Sequence, residues 1–529
     1  MNFHVVLLLL GSILVAIRIS FFILSDMSSS CTTTTTITSS GGIELAAAPK
    51  TVMASTEDAI VPLPVHNISE KLSPEEQEFW KQPQNGGFEP CIEFSDEYRQ
   101  DSGAITAEKR RFLIVSVDGG LNQQRNEIID AVVIARILGA ALVVPVLQRH
   151  GVWKDDSEFS EIFDVEHFKA TLRSDVMIVS SLPAELLTVR IYPETLPPDS
   201  TPDVVRSKFQ SKLMERRVIY LYEMRHKLSR ALPLDLQRLR CKVAFQALKF
   251  AANIRTVGEK LAERIWKDGP YIALHLRLEK DVWVHAGCLP EVSPKLDAAV
   301  AGEQKRRPEL VNDMNMTYEQ RREAGYCPLN ADQVARLLKA LGAPRSGKIY
   351  LAGGEPYGGA KAVKPLSRLF PNLTSKEKLA FPGELEPFMG KPSALAAVDY
   401  IISLNSGVFM PSTGGNMAHA LQGHRAYIGH RKVIRPHKGV MAKAFLSGKS
   451  LSDEEFSRMM KSMHQNLQGQ PLPITGTRQG YQDVTAFPVP ECMCKRNLSI
   501  FPRSPNRRPG ETVQLWFSRE RRSKARKKP

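Results

Sequence analysis

The sequence predicts an α/β protein of two doubly wound, Rossmann-like halves facing each other across a cleft, behind an N-terminal membrane anchor. Three observations lead to this. A chain of 529 residues exceeds what one hydrophobic core usually holds. Strand-length apolar runs, glycine turns and helical periodicity alternate in two separate series, the pattern of parallel sheets joined by crossover helices. The first residues form an apolar run long enough to cross a bilayer.

In chain order, residues 1–25 are read as the anchor. Val5–Leu24 is apolar apart from Arg18, two serines and a glycine, and an Arg near the end of a spanning helix can reach the interface. A cleaved signal peptide is the other reading, though no tidy small-x-small site follows the run. Either way the body enters the secretory lumen. Residues 26–90, Ser/Thr-rich and then Pro- and charge-rich, read as a lumenal stem. The sequons at Asn67, Asn315, Asn372 and Asn497 suit that compartment. So do the seven cysteines (31, 91, 241, 288, 327, 492 and 494), whose pairing spacing alone leaves open. Zinc-ligand spacing is absent around Cys492-x-Cys494.

Residues 91–265 form the predicted N-terminal half. Phe112–Val117 reads as a strand, Gly119-Gly120 as a turn, Asn122–Leu138 as a helix, and Ala141–Val144 as the next strand. Residues 266–498 form the predicted C-terminal half, with the donor site. Strands are expected at Tyr271–Leu276, Lys348–Ala352 and Asp399–Leu404, and a helix at Asn416–Leu421. Residues 499–529 read as a disordered basic tail. Ten Lys/Arg stand against Glu511 and Glu520 there, so the tail holds about half of the net charge of +15, and the basicity is not a property of the folded body.

Three stretches could carry chemistry. At Asp118-Gly-Gly-Leu-Asn-Gln-Gln-Arg125, small residues at a strand-to-helix turn let backbone N–H groups and the positive helix end approach a diphosphate, with Asn122 and Gln123 as further donors. An ordinary βα turn looks the same locally, and the pattern is neither G-x-G-x-x-G nor a P-loop. At the end of the first strand of the second series, alternation would place His275, Arg277, Glu279 and Asp281 on one face while the strand lasts. Arg277 there could grip phosphate oxygens, or simply pair with Glu279. In Asp399–Asn416, Ser412 and Thr413 lead through two glycines to a helix starting at Asn416, a shape that suits phosphate or ribose and equally suits a capped helix. No Asp-x-Asp occurs anywhere in the chain, so a nucleotide-sugar donor would be held by side chains and helix ends, with no metal and no other cofactor.

These same stretches, GGLNQQRNEIIDAVVIARILGAALVVPVL, YIALHLRLEKDVWVHAGC and DYIISLNSGVFMPSTGGNMAHALQGHRAYIGHRKVI, resemble in order and spacing three blocks of the plant-type GDP-fucose protein O-fucosyltransferase family, over about residues 112 to 438. The chain departs from the usual wording at Leu278, in the VWVHAG stretch and in the GGN before the last helix. The resemblance implies a metal-independent inverting transferase of GT-B architecture, a single-pass type II Golgi protein that uses GDP-fucose. By position, Gly119, Gly120, Leu121, Asn122, Gln123 and Arg125 would contact the donor, together with the catalytic His275–Arg277 strand end, with Arg277 at its phosphates. Asp399, Ser412, Thr413 and Asn416 would contact the nucleotide. Glu279 and Asp281 are the candidate bases for the acceptor hydroxyl. The expected partners are the donor, a protein or cell-wall glycan acceptor, and the membrane. The rival readings are a rhamnosyltransferase of cell-wall glycan and a catalytically silent lumenal scaffold. A nucleic-acid partner is excluded by a secretory anchor.

Overall fold

The computed structural model describes residues 72–84, 86–106, 111–149, 153–225, 227–312, 315–429, 432–446, 451–470 and 483–495. The expected anchor, most of the stem, the basic tail, Cys31, Asn67 and Asn497 lie outside them. Among the described residues no helix is long and apolar enough to cross a membrane.

A short strand, β1 (Phe88–Pro90), stands apart from two parallel sheets. The N-terminal sheet contains β2 (Phe112–Val117), β3 (Ala141–Val143), β4 (Val146–Leu147), β5 (Ile178–Val179), β6 (Pro193–Glu194) and β7 (Val218–Leu221). Its order is β5-β3-β2-β7-β6, with β4 beside the last two residues of β2. The C-terminal sheet contains β8 (Tyr271–His275), β9 (Lys348–Ala352), β10 (Leu373–Thr374), β11 (Val408–Pro411) and β12 (Lys432–Val433), in the order β10-β9-β8-β11-β12. In each sheet the chain moves from a central strand toward one edge and later returns to the other side. That creates a topological switch point between β2 and β7, and another between β8 and β11. Ligands of open α/β sheets bind at such points, outside the carboxyl ends of the strands.

The helix after β2, Leu121–Leu138, is buried along nearly its whole length. It ends at Gly139, whose left-handed backbone (φ 57°) lets its N–H bond back to Ala135 O. A charged pair lies inside this core: Arg240 Nε donates to buried Asp130 at 3.0 Å.

The structure corrects four expectations. Asp399–Leu404 is helical, part of Pro392–Asn405, and the strand is the next apolar run, Val408–Pro411. That helix is buried on most sides, so its apolar run has no amphipathic period to separate it from a buried strand. It packs on Ala252–Trp266, where a Cβ on Gly258 would meet Ile401 at 2.8 Å. The C-terminal half therefore begins near residue 252 rather than 266. Third, the stem ends earlier than residue 90. Ser73 closes a capping box on the helix Pro74–Trp80, which buries Phe79 and Trp80. Lys432, held below its usual range at about 8 by burial, donates to Phe79 O at 2.7 Å at the end of that helix. Finally, residues 483–495 do not all stay with the C-terminal half: Ala486 O still accepts from Gln422 Nε2 at 2.9 Å, but residues 492–495 cross to the N-terminal half. β13 (Met493–Lys495) pairs antiparallel with β1, and Cys494 and Cys492 form disulfides with Cys91 and Cys241. A third disulfide joins Cys288 to Cys327.

Candidate functional site

At the C-terminal switch point the ends of β8 and β11 are tied together. Ser412 N donates to His275 O at 3.0 Å, and Arg277 N donates to Ser412 Oγ at 3.2 Å. The expected alternation through Asp281 does not hold, because β8 ends at His275 and a helix, Lys280–Ala286, begins three residues after Arg277. Leu276 and Leu278 turn into the core while Arg277 stays a third exposed, with Glu279 and Asp281 beside it. Arg277 Nε lies 3.3 Å from Glu279 Oε2, and its Nη2 lies 3.6 Å from Asp281 Oδ2. Glu279 also accepts from Gly354 N at 3.1 Å. Its two oxygens are thus occupied in orienting Arg277 and the turn after β9. Asp281, with half its side chain exposed, is the more accessible carboxylate. His275 is buried, and burial, helped by the Arg277 charge, holds its imidazole down at about 3. It is neutral near neutral pH, and its Nδ1 has no partner.

Asp399, expected at the nucleotide, is buried below the Gly353-Gly354 turn. Its carboxylate accepts from Tyr350 Oη at 2.5 Å, Lys376 Nζ at 3.1 Å and Gly353 N at 3.2 Å. Burial pushes its carboxyl up, and these donors oppose the shift. Lys376 also donates to Gly353 O at 3.1 Å. Two carboxylates, Glu279 and Asp399, therefore take consecutive N–H groups of one turn and fix it beneath Arg277. The Gly-Gly pair after an apolar strand signalled that turn in the sequence. Nothing local signalled Lys376.

Past β11, Thr413 is half-buried, Gly414 and Gly415 are exposed, and the helix Asn416–Tyr427 opens with its first N–H groups toward this loop. Asn416 Oδ1 accepts from Asn126 Nδ2 of the N-terminal half at 3.3 Å, so the two switch points face each other. On that side Gly119 has φ 83°, and a Cβ on Gly120 would meet the Trp153 ring at 2.9 Å. Asp118 N donates to Glu127 Oε2 at 2.9 Å. Arg225, from the loop after β7, lies 3.5 Å from Asp118. Burial pushes the Glu127 carboxyl up to about 7. Asn122 is buried, with Oδ1 unpartnered. Leu121 is a core residue. Arg125, expected at the donor, lies inside the junction between the halves. It donates to Ala244 O at 3.3 Å and stacks over Phe250 and Tyr400 at 5.2 and 4.6 Å from the ring centres. A guanidinium placed there serves cohesion of the halves.

Asn315 and Asn372 are both exposed, as acceptor asparagines must be. Among the described residues no three His, Cys, Asp or Glu side chains are grouped to hold a metal ion.

The family model for GDP-fucose protein O-fucosyltransferase matches residues 112–428, from β2 to the end of the helix that starts at Asn416. O-fucosyltransferase 37 of Arabidopsis thaliana is 53% identical over 448 residues, 84% of this chain and 80% of that protein. O-fucosyltransferase 20 of the same plant is 51% identical over 421 residues, 79% of this chain and 73% of that one. A crystal structure of POFUT1 with GDP covers 63% of this chain and all of its own at 13% identity, with a TM-score of 0.41, a likeness too distant to carry an argument.

Proposed function

This chain belongs to the GDP-fucose protein O-fucosyltransferase family and is a glycosyltransferase, and from that premise we propose that it transfers fucose, with inversion, from GDP-fucose to a protein or glycan hydroxyl in the Golgi lumen. One observation supports the reading most: Arg277, held from the side by two carboxylates, stands at the C-terminal switch point beside the Thr413 loop and an open helix start. Side chain, backbone N–H groups and helix dipole there suit a diphosphate that gains charge as it leaves.

In the proposed step the acceptor oxygen forms its bond to the anomeric carbon as the bond to the diphosphate oxygen breaks. The electron pair departs with GDP, and the acceptor proton passes to Asp281 or to water. Glu279 orients, and His275, neutral, can only donate or accept a hydrogen bond.

Titrating the protein with GDP-fucose, GDP-mannose, UDP-rhamnose and UDP-glucose tests the donor. Preference for UDP-rhamnose would replace the fucose reading, and no binding of any would favour a silent scaffold. Compartment is tested separately: in sealed vesicles the body should resist added protease and carry removable glycans.

A further inference from the structure

Charge at the candidate donor site does not balance. Arg277 is one positive charge flanked by two negative ones, Glu279 and Asp281, whereas a departing nucleoside diphosphate carries more than one negative charge. Without a metal, a further cation is needed within reach of the same oxygens. Lys438 touches the same loop as Arg277, through Thr413 next to the Ser412 that accepts from Arg277 N. It opens the helix Lys438–Leu446, and its Nζ lies 3.4 Å from Thr413 Oγ1 and 3.2 Å from both Tyr326 O and Cys327 O. Its position is tightly fixed, since a Cβ on Gly325 would meet Gly439 N at 2.4 Å, and Cys327 is bonded to Cys288. The three contacts are neutral oxygens. Among the described residues no carboxylate lies within ion-pair distance of Lys438, unlike Lys376, which has Asp399. The three N–H donors of Lys438 are taken by neutral oxygens, but its charge is left uncompensated at a half-buried site, and an anion that takes over the Thr413 contact would compensate it.

We propose that Lys438 is the second cation of the donor site, binding the diphosphate of the nucleotide sugar together with Arg277 across the Ser412–Thr413 loop. The proposal rests on the glycosyltransferase reading above and deepens it by naming a phosphate contact. Burial holds the Lys438 ammonium below its usual range, at about 8. The charged and titratable groups around its pocket are Glu291 and Arg322, paired at 3.0 Å, the Tyr318 hydroxyl held by Glu291, and the adjacent His437.

The test measures calorimetric binding of GDP and of guanosine, which lacks the diphosphate, to the intact protein. Lys438→Met should weaken GDP by about tenfold or more and leave guanosine unchanged. Lys438→Arg should retain most of the GDP affinity. Wild type should lose GDP affinity above about pH 8, and Lys438→Arg should abolish that loss, because a guanidinium stays charged there. Equal GDP affinity in folded Lys438→Met and wild type would overturn the proposal. Should Lys438→Met fail to fold, matching pH profiles for wild type and Lys438→Arg would overturn it instead. Wild type that binds no GDP would remove the donor reading itself, a separate and visible failure.

Discussion

Arg277 shows how far single residues can be read from a sequence. Its type and its place at the end of an apolar strand marked it, but its two carboxylate neighbours became separable only in space. Glu279 is fully engaged and Asp281 is open. If Arg277 stabilises the departing diphosphate, Arg277→Ala should lose about 3–4 kcal/mol of transition-state stabilisation, a hundredfold or more in turnover. Arg277→Lys should also be badly impaired, because the planar fork is lost. Measuring turnover and melting temperature together separates this from a structural role, for which turnover per folded molecule would be near normal. Glu127 was silent in the sequence because nothing about a glutamate in an apolar helix reveals its burial. Its folded pKa of about 7 lies above the ordinary 4.5. Between those values the folded state keeps a proton that the unfolded chain has released, so stability falls as pH rises through the window and levels off above it. His275 acts oppositely, since its depressed value takes stability away as pH falls from 6.5 toward about 3. Glu127→Gln should therefore gain melting temperature over wild type at about pH 8 and not at about pH 5, with about 3 kcal/mol as the upper bound.

Elements were legible where periodicity and punctuation agreed. The β2–turn–helix–β3 unit and strands β8 and β9 lie where strand-length apolar runs, helical periodicity and the Gly119-Gly120 turn put them. The Pro392–Asn405 helix was not legible, because burial on most sides erases the period that identifies a helix. Nor was the early start of the packed body, since the capping box at Ser73 sits in a stretch too short and too charged to stand out. The glycine turn after β2 yields a prediction at this scale. Gly120→Ala must displace the Trp153 ring, so it should lose about 1–3 kcal/mol of stability and weaken donor binding through the turn. Calorimetric melting and GDP titration of the same sample check both. Unchanged values would mean that the ring moves freely and the turn is not a built contact.

For the whole molecule, two sheets each broke at a switch point, and an Asn126–Asn416 bond brings the breaks together. The sequence implied the cleft through its two α/β series but not the contacts that join the halves. Among these, Asp155 of one half accepts from Ser393 N at the start of a helix in the other, a cap no local pattern announces. If, as the missing Asp-x-Asp suggests, the proposed donor site works through side chains and N–H groups, turnover should survive exhaustive EDTA; loss restored by Mn²⁺ would reject that mechanism. The pairing of Cys91 with Cys494, 403 positions apart, has a consequence of another kind. It makes the covalent outline of the body a ring rather than a thread. One protease cut between those cysteines opens the ring without parting it, so nicked protein should run as a single band until reduced. Nor can such a ring pass through a narrow translocation pore as a single strand; any such passage of the folded chain must begin with thiol chemistry rather than with pulling.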